Sequence, residues 1–319
     1  MCLVALAIDQ DRRFPLVIAT NRDEFFKRST ARLAWWSTNE GEAPFLAGRD
    51  LEGGGTWMGV SAQGRLALVT NRRDLGRTDP TAPSRGQIVP DWLAAREPID
   101  KFWMRTALMG YNGFNLIAAD FRLGECFWAS NLEAHPKRLE RGLFGLSNAA
   151  LDTPWPKVLA LKLSLRDALK AATTLDDLAL RLFAALADRT SADEALLPKT
   201  GLPMEREREL SSAFIRTSDG TYGTRCSTLI ITERAPRQLI THVFERSFSA
   251  TGGLALLRRS TLKHWPPRYM EPGSASDADL GAVSESEVIP DTGPTLPVKR
   301  TRVRSLLKPV KPRRPRVDT

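Results

Sequence analysis

The chain is poor in cysteine and histidine and has no long apolar run. Three cysteines in 319 residues cannot build a disulfide scaffold, and free thiols suit a reducing compartment. The three histidines, His135, His242 and His264, are isolated from one another. There is no C-x-x-C-H attachment motif for haem, and Cys126 and Cys226 lack the close Cys or His partners of a zinc set, so packed thiols are expected there and no metal site. No window approaches the roughly 18 uninterrupted apolar residues that a membrane-spanning helix requires. The apolar start, residues 2–8, follows no basic residue and is closed at once by Asp9, which makes it too short for a signal peptide. The expectation is a cytoplasmic protein with no transmembrane segment.

Hydrophobic residues at 42% and charged residues at 26% are globular values that exclude collagen-like and wholly disordered chains. The formal charge of +9 invites a nucleic-acid reading until it is located. Residues 299–319 hold nine Lys and Arg against one Asp, so everything before them nets +1. From about Gly273 the sequence turns small and acidic and then basic and proline-rich, with no apolar period. A folded domain over 1–270 and a disordered tail over 271–319 are therefore expected, since such a tail cannot bury enough surface to offset its ordering entropy. Its reach toward anionic surfaces or nucleic acid would rest on salt-sensitive phosphate contacts, because no aromatic side chain interleaves its charges.

Residues 2–8 and 16–20 are apolar and β-prone on either side of DQDRRFP, which predicts a hairpin about Arg12 that sets position 2 across from position 22. A second hairpin, TWMGVS with RLALVTN, ends a strand at Asn71. Further strands are predicted in FNLIAADF, CFWAS, RCSTLIITE and QLITHVFE. Val158, Leu161, Leu165, Ala168 and Ala172 repeat at helical spacing, with Pro154 in the first turn. A second helix follows Thr174, whose capping pattern is completed by Asp177, and it buries Leu175, Leu178, Leu182 and Leu186. ERERE, residues 205–209, is expected as a solvated helix face. Gly53-Gly54-Gly55 has no following Lys-Ser or Lys-Thr and is expected as a tight turn rather than a phosphate loop. Trp35 and Trp36 would pack in the core or a lid, or line an apolar pocket. Antiparallel hairpins with clustered helices indicate an α+β protein.

Cys2 is the strongest chemical candidate. Removal of Met1 would leave a residue with both a thiol and a free α-amine, whose reference pKa of about 7.7–8 lets it act as general base near neutral pH. Across the predicted hairpin lie Asn21, Arg22, Asp23 and Glu24. Arg22 would favour a thiolate, Asp23 would orient the ammonium and Asn21 would donate to an oxyanion. The plainer alternative makes Cys2 a small apolar residue at a strand start and the quartet a turn.

The stretch ATNRDEF resembles the signature of the NRDE family, also called the transport and Golgi organisation protein 2 family. AGRDLEGGGTWMGV, LVTNRR, SRGQIV, YNGFNL, GLSNAALDTPWPKV and YGTRCSTLI look like further family blocks in family order, spanning residues 2 to about 248. The resemblance implies the N-terminal-nucleophile hydrolase fold, a four-layer αββα sandwich. In the cysteine branch of that fold, Cys2, Arg22 and Asp23 would match the opening catalytic set, Asn71 and Asn148 the oxyanion donors and Arg225 the late arginine. Arg and Asp are adjacent here, whereas that branch separates them. The family is also linked with haem trafficking and with acyl-coenzyme A and lipid metabolism. The resemblance therefore implies either an amidohydrolase or acyl-transfer enzyme needing no cofactor, or a non-catalytic carrier of haem or acyl-CoA using the same pocket.

Overall fold

The computed structural model describes residues 2–74, 76, 78–249 and 256–267, and the backbone of 287–290. Its first two apolar runs form β1 (Cys2–Ile8) and β2 (Leu16–Phe25), paired antiparallel with Cys2 opposite Arg22 and Ile8 opposite Leu16. This is the register that a turn about Arg12 predicts. A meander follows through β3 (Thr30–Trp36), β4 (Phe45–Asp50), β5 (Met58–Ser61) and β6 (Arg65–Asn71). Helices α1 (Ile88–Ala94) and α2 (Ile99–Ala107) lead to β7 (Phe114–Asp120), β8 (Glu125–Ser130) and β9 (Lys137–Arg138). After β10 (Gly142–Leu146) come α3 (Pro156–Ala171), α4 (Leu175–Leu186) and α5 (Met204–Glu209). The described chain closes with β11 (Tyr222–Arg234), β12 (Leu239–Ser247), β13 (Leu256–Lys263) and β14 (Glu287–Pro290).

Two antiparallel sheets result, in the orders β10-β1-β2-β11-β12-β13-β14 and β3-β4-β5-β6-β7-β8-β9. Successive side chains of a strand point to opposite faces. Leu3, Ala5 and Ala7 therefore lie under α3 and α4, against Leu161, Leu165 and Leu182. Val4, Leu6 and Ile8 face the second sheet and meet Leu46, Val60 and Leu66. The outer face of that second sheet carries Ala47, Ala67 and Val69, which pack on Trp92 of α1 and Phe102 of α2. The architecture is the four-layer αββα sandwich. Among the described residues no helix is long and apolar enough to cross a membrane.

Local features follow the sequence with two corrections. Helix α3 starts two residues later than expected: Pro156 occupies its first turn and Trp155 is the cap, leaving Pro154 outside. Helix α4 is capped by Thr174, which accepts from the Asp177 N–H at 3.1 Å, while Asp177 accepts from the Thr173 N–H at 3.2 Å. The ERERE segment is the second correction. Glu207 is buried in an ion pair with Arg73 at 2.7 Å, so α5 turns one acidic side chain inward. Within the stretch expected as a tail, Glu287–Pro290 pairs with Leu256–Arg259 of β13. A strand edge offers unpaired backbone groups, and four residues ending in proline suffice to use them. The rest of 271–319 lies outside the described residues.

The triple glycine is a turn between β4 and β5, as expected. Gly54 has φ +73°, and a Cβ on Gly55 would stand 2.2 Å from the Gly86 carbonyl oxygen. Trp36 packs edge-on to Phe45 and donates its indole N–H to the Ala47 carbonyl, which is packing rather than pocket lining.

Leu165 is fully buried between α3 and the first sheet. Leu165→Ala should cost roughly 2–5 kcal/mol, read from the urea midpoint at unchanged slope. A loss under about 0.5 kcal/mol, the range of neutral surface substitutions, would contradict this packing.

Candidate functional site

The alternation that builds the layers also sorts the candidate residues. Cys2 is opposite Arg22 on β2, and Arg22 is opposite Cys226 on β11. Directly opposed residues share a face, and Cys226 belongs to the core between the sheets. Cys2, Arg22 and Cys226 thus form a row facing the second sheet. The Arg22 guanidinium lies over the Trp57 ring at 4.4 Å, bonds Asp50 and Thr30 at 3.3 Å each, and stands 3.7 Å from Glu24. Cys2 is 7% exposed, and burial pushes its thiol above the ordinary value, with Arg22 acting in the opposite sense.

Asn21 and Asp23 project to the other face, toward the helices. Both amide hydrogens of Asn21 are committed, to the carbonyls of Leu186 and Ala213 at 2.8 Å, and its oxygen accepts from Ser227 at 2.6 Å. No donor remains for an oxyanion, so the expected catalytic Asn21 is instead a brace between β2 and the helical layer. Asp23 is fully buried and accepts from the Thr224 hydroxyl at 2.7 Å. Burial raises its carboxyl above the ordinary value, and the nearby charge of Lys157 opposes that rise.

A cleft of about 340 Å³ is lined by Glu24, Phe25, Tyr222, Asn71, Asn148 and several arginines; Cys2, Arg22 and Cys226 are not among its lining residues. Two sequence candidates meet here. The Asn148 amide donates to the Asn71 carbonyl at 2.8 Å, which leaves one of its two N–H groups. Asn71 makes no side-chain hydrogen bond among the described residues, so its amide is available to the cleft. The link to Cys2 runs through Ser147, whose hydroxyl donates to the Cys2 carbonyl at 3.0 Å. Two residues past the last β1–β10 pair, Val4 with Leu146, the same register reaches Cys2 and Asn148.

Arg225 is not brought to this cleft. It is the extra residue of a bulge between Thr224 and Cys226, and bulges re-aim a side chain. Its guanidinium donates to the carbonyls of Phe25, Phe26 and Arg28, holding the chain that leaves β2, and it lines a separate cleft of about 220 Å³ with Cys226 and Glu245. Among the described residues no group of three His, Cys, Asp or Glu side chains comes together as a ligand set.

One site residue escaped the sequence reading. Lys157, in the first turn of α3, is buried, donates to the Leu210 carbonyl at 2.8 Å and interacts electrostatically with both Asp23 and Cys2. Burial lowers its ammonium to about 8, a shift that the negative charge of Asp23 limits. The signal was present: Lys157 stands four residues before Leu161 and eight before Leu165, on the apolar stripe where a solvated lysine does not belong.

Fold and site together define a class: an αββα sandwich whose first central strand opens with a cysteine set opposite an arginine, its carbonyl linked through Ser147 to the strand end that carries Asn148 of an amide-lined cleft. Within it, the chain belongs to the Transport and Golgi organisation 2 family, which residues 1–250 match. It is 34% identical over 255 residues to the Bos taurus Transport and Golgi organization protein 2 homolog, covering 73% of this chain and 89% of that protein. With the Homo sapiens homolog the identity is 30% over 289 residues, covering 85% and 98%. Among solved structures it is similar to a Caenorhabditis elegans N-acylethanolamine-hydrolyzing acid amidase ortholog, with TM-score 0.43 at 10% identity over 72% of this chain and 92% of that one. A mutant conjugated bile acid hydrolase from Clostridium perfringens gives TM-score 0.39 at 10% identity, over 76% and 92%.

The buried ammonium makes a pH-dependent contribution of definite sign. Between about 8 and its ordinary 10.5 the unfolded chain holds the Lys157 proton and the folded chain does not, so stability should rise with pH across that window. Relative to Lys157→Met, the wild type should gain on the order of 3 kcal/mol there, measured by urea unfolding at a series of pH values. A flat difference would show that Lys157 titrates at its ordinary value.

Proposed function

We propose that the protein is a cysteine hydrolase of the N-terminal-nucleophile type, acting on an amide or thioester of a small amphipathic acyl substrate. The observation that carries this reading is the placement of Cys2 in register with Arg22 and joined through Ser147 to a cleft lined by the Asn71 and Asn148 amides. Phe25, 45% exposed at the cleft, and Tyr222, packed edge-on to it at 5.1 Å, supply an apolar wall for an acyl group.

Burial keeps the Cys2 thiol protonated near neutral pH, so a base must take its proton as the bond forms. With Met1 removed, the α-amine of Cys2 is that base. The sulfur attacks the carbonyl carbon while the amine accepts the thiol proton and the carbonyl oxygen becomes an oxyanion. Asn71 and the remaining Asn148 N–H donate to that oxyanion. Collapse expels the amine or thiol leaving group, which takes the proton from the α-ammonium and leaves a thioester on Cys2. Water, deprotonated by the same amine, releases the acid and restores the thiol. Asp23 holds the region of the α-ammonium negative, and Arg22 opposes the burial of the thiolate.

Intact mass before and after brief thiol alkylation checks the first requirement. The expected spectrum lacks Met1 and gains one rapid adduct that disappears in Cys2→Ala. Amides and thioesters of medium-chain acids should then be turned over by the wild type and not by Cys2→Ser, and Asn71→Ala should lower kcat about 10²- to 10³-fold. A retained Met1 leaves no α-amine at Cys2 and overturns the mechanism. Saturable binding of haem or acyl-CoA without product would identify a carrier instead.

A further inference from the structure

The cleft is unusually rich in arginine, and its four described guanidiniums are not equivalent. Arg72 pairs with Glu133 at 3.0 Å, Arg73 with Glu207 at 2.7 Å and Arg206 with Glu209 at 2.7 Å. Each of these charges is neutralised by the protein itself. Arg85 is different. It is half-buried, and among the described residues no carboxylate lies within ion-pair distance of it. The hydrogen bond that holds it runs from Nη1 to the Gly113 carbonyl at 3.1 Å and uses one of its five N–H groups. Glu24 is near enough to act on it electrostatically, but that carboxylate stands with Arg22 and accepts from the Phe25 N–H.

Arg65 shows what a purely structural arginine looks like in this protein. It is buried on Trp92, paired with Asp120 at 3.1 Å, and its other donors meet the carbonyls of Trp92, Ala95 and Glu97. Arg85 has one backbone acceptor and a cleft. Its position is fixed by the backbone: the Gly86 carbonyl accepts from the Thr56 N–H at 2.9 Å, and Ser84 caps the turn. Removing a guanidinium from water without a counter-charge is costly, and burial here lowers its proton affinity. An anion that entered the cleft would offset this cost, and a planar fork with one arm pinned leaves the other arm for carboxylate or phosphate oxygens.

We propose that Arg85 is the anion anchor of the cleft, so that the ligand carries a carboxylate or phosphate group in addition to its apolar portion. The side of the cleft bearing Arg85 also carries Asn112 and Gly113, while Phe25, Tyr222 and Leu202 provide apolar surface. Glu24 and Asp74 line the cleft as well, so its selectivity for an anion rests on Arg85, whose unspent donors meet no carboxylate, and the apolar wall suits the rest of an amphiphile. The anchor rests on the reading that this cleft is the substrate site, and it assigns the charge of the substrate, which the hydrolytic mechanism leaves open.

The test separates binding from turnover. Full-length Cys2→Ser protein is titrated calorimetrically, below micellar concentrations, with N-dodecanoylglycine, dodecyl phosphate and the uncharged N-dodecanoylglycine methyl ester. The expected result is that at least one anion binds about ten- to a hundredfold more tightly than the ester. Arg85→Met should erase that preference while leaving ester binding unchanged, and Arg85→Lys should restore part of it. The anion that shows the preference identifies the group, carboxylate or phosphate. Absence of any anion preference, including failure of all three probes to bind, overturns the anchor, as does a preference that survives Arg85→Met in protein of unchanged thermal midpoint. Wild-type protein incubated with N-dodecanoylglycine is assayed in parallel for released glycine. Arg85-dependent anion binding, with no hydrolysis of these or other acyl amides and thioesters, sustains the anchor and removes the hydrolase. Hydrolysis of neutral and anionic amides alike, unchanged by Arg85→Met, does the reverse.

Discussion

Arg22 carries a positive charge into the layer between two sheets, and a large part of the site is arranged around meeting that charge. An isolated guanidinium there would be prohibitive, and it is compensated from the opposite sheet by the Trp57 face, Asp50 and Thr30. Asp50 is in turn held by Arg28 at 2.7 Å and by the N–H groups of Glu52 and Gly53. That last contact shapes the glycine turn, whose Gly55 admits the Gly86 carbonyl at a distance no Cβ would allow. The same contact seats the turn that carries Arg85. One buried charge on β2 is thereby connected, bond by bond, to the cation at the cleft.

The helical face of the same strand has its own constraint. Asn21 spends every side-chain donor on carbonyls of the helical layer, and Asp23 is buried opposite Thr224 with Lys157 nearby. A buried carboxylate and a buried ammonium depress each other's cost of ionisation. The short NRDE stretch thus serves two layers at once: its even residues belong to the space between the sheets and its odd residues to the contact with α3 and α4. Roles cannot be transferred along it one residue at a time, because adjacent positions look in opposite directions.

The cleft combines amide donors with unspent hydrogens, an aromatic wall and a cation with no carboxylate within ion-pair distance, and Ser147 links its Asn148 edge to the backbone carbonyl of Cys2. The amide donors come from the ends of β6 and from the turn after β10, elements of different sheets, and the Asn148–Asn71 hydrogen bond joins them. The site therefore sits where the two sheets meet at one end of the sandwich. Its geometry depends on their relative position more than on any single loop.

The amino-acid sequence by itself determined what depends on neighbours along the chain. The β1–β2 hairpin and its Cys2–Arg22 register, the Thr174 cap of α4, the leucine stripes and the glycine turn were legible because period, turn chemistry and capping are local. Tertiary structure alone decided which way each chemical group looks and what it meets. It turned Asn21 and Arg225 into braces by supplying carbonyls far along the chain, drew Glu207 inward to Arg73, buried Lys157 beside Asp23 and left Arg85 without a carboxylate. The physical reason is that charge compensation and desolvation depend on contacts between residues tens to hundreds of positions apart, and no local pattern encodes them.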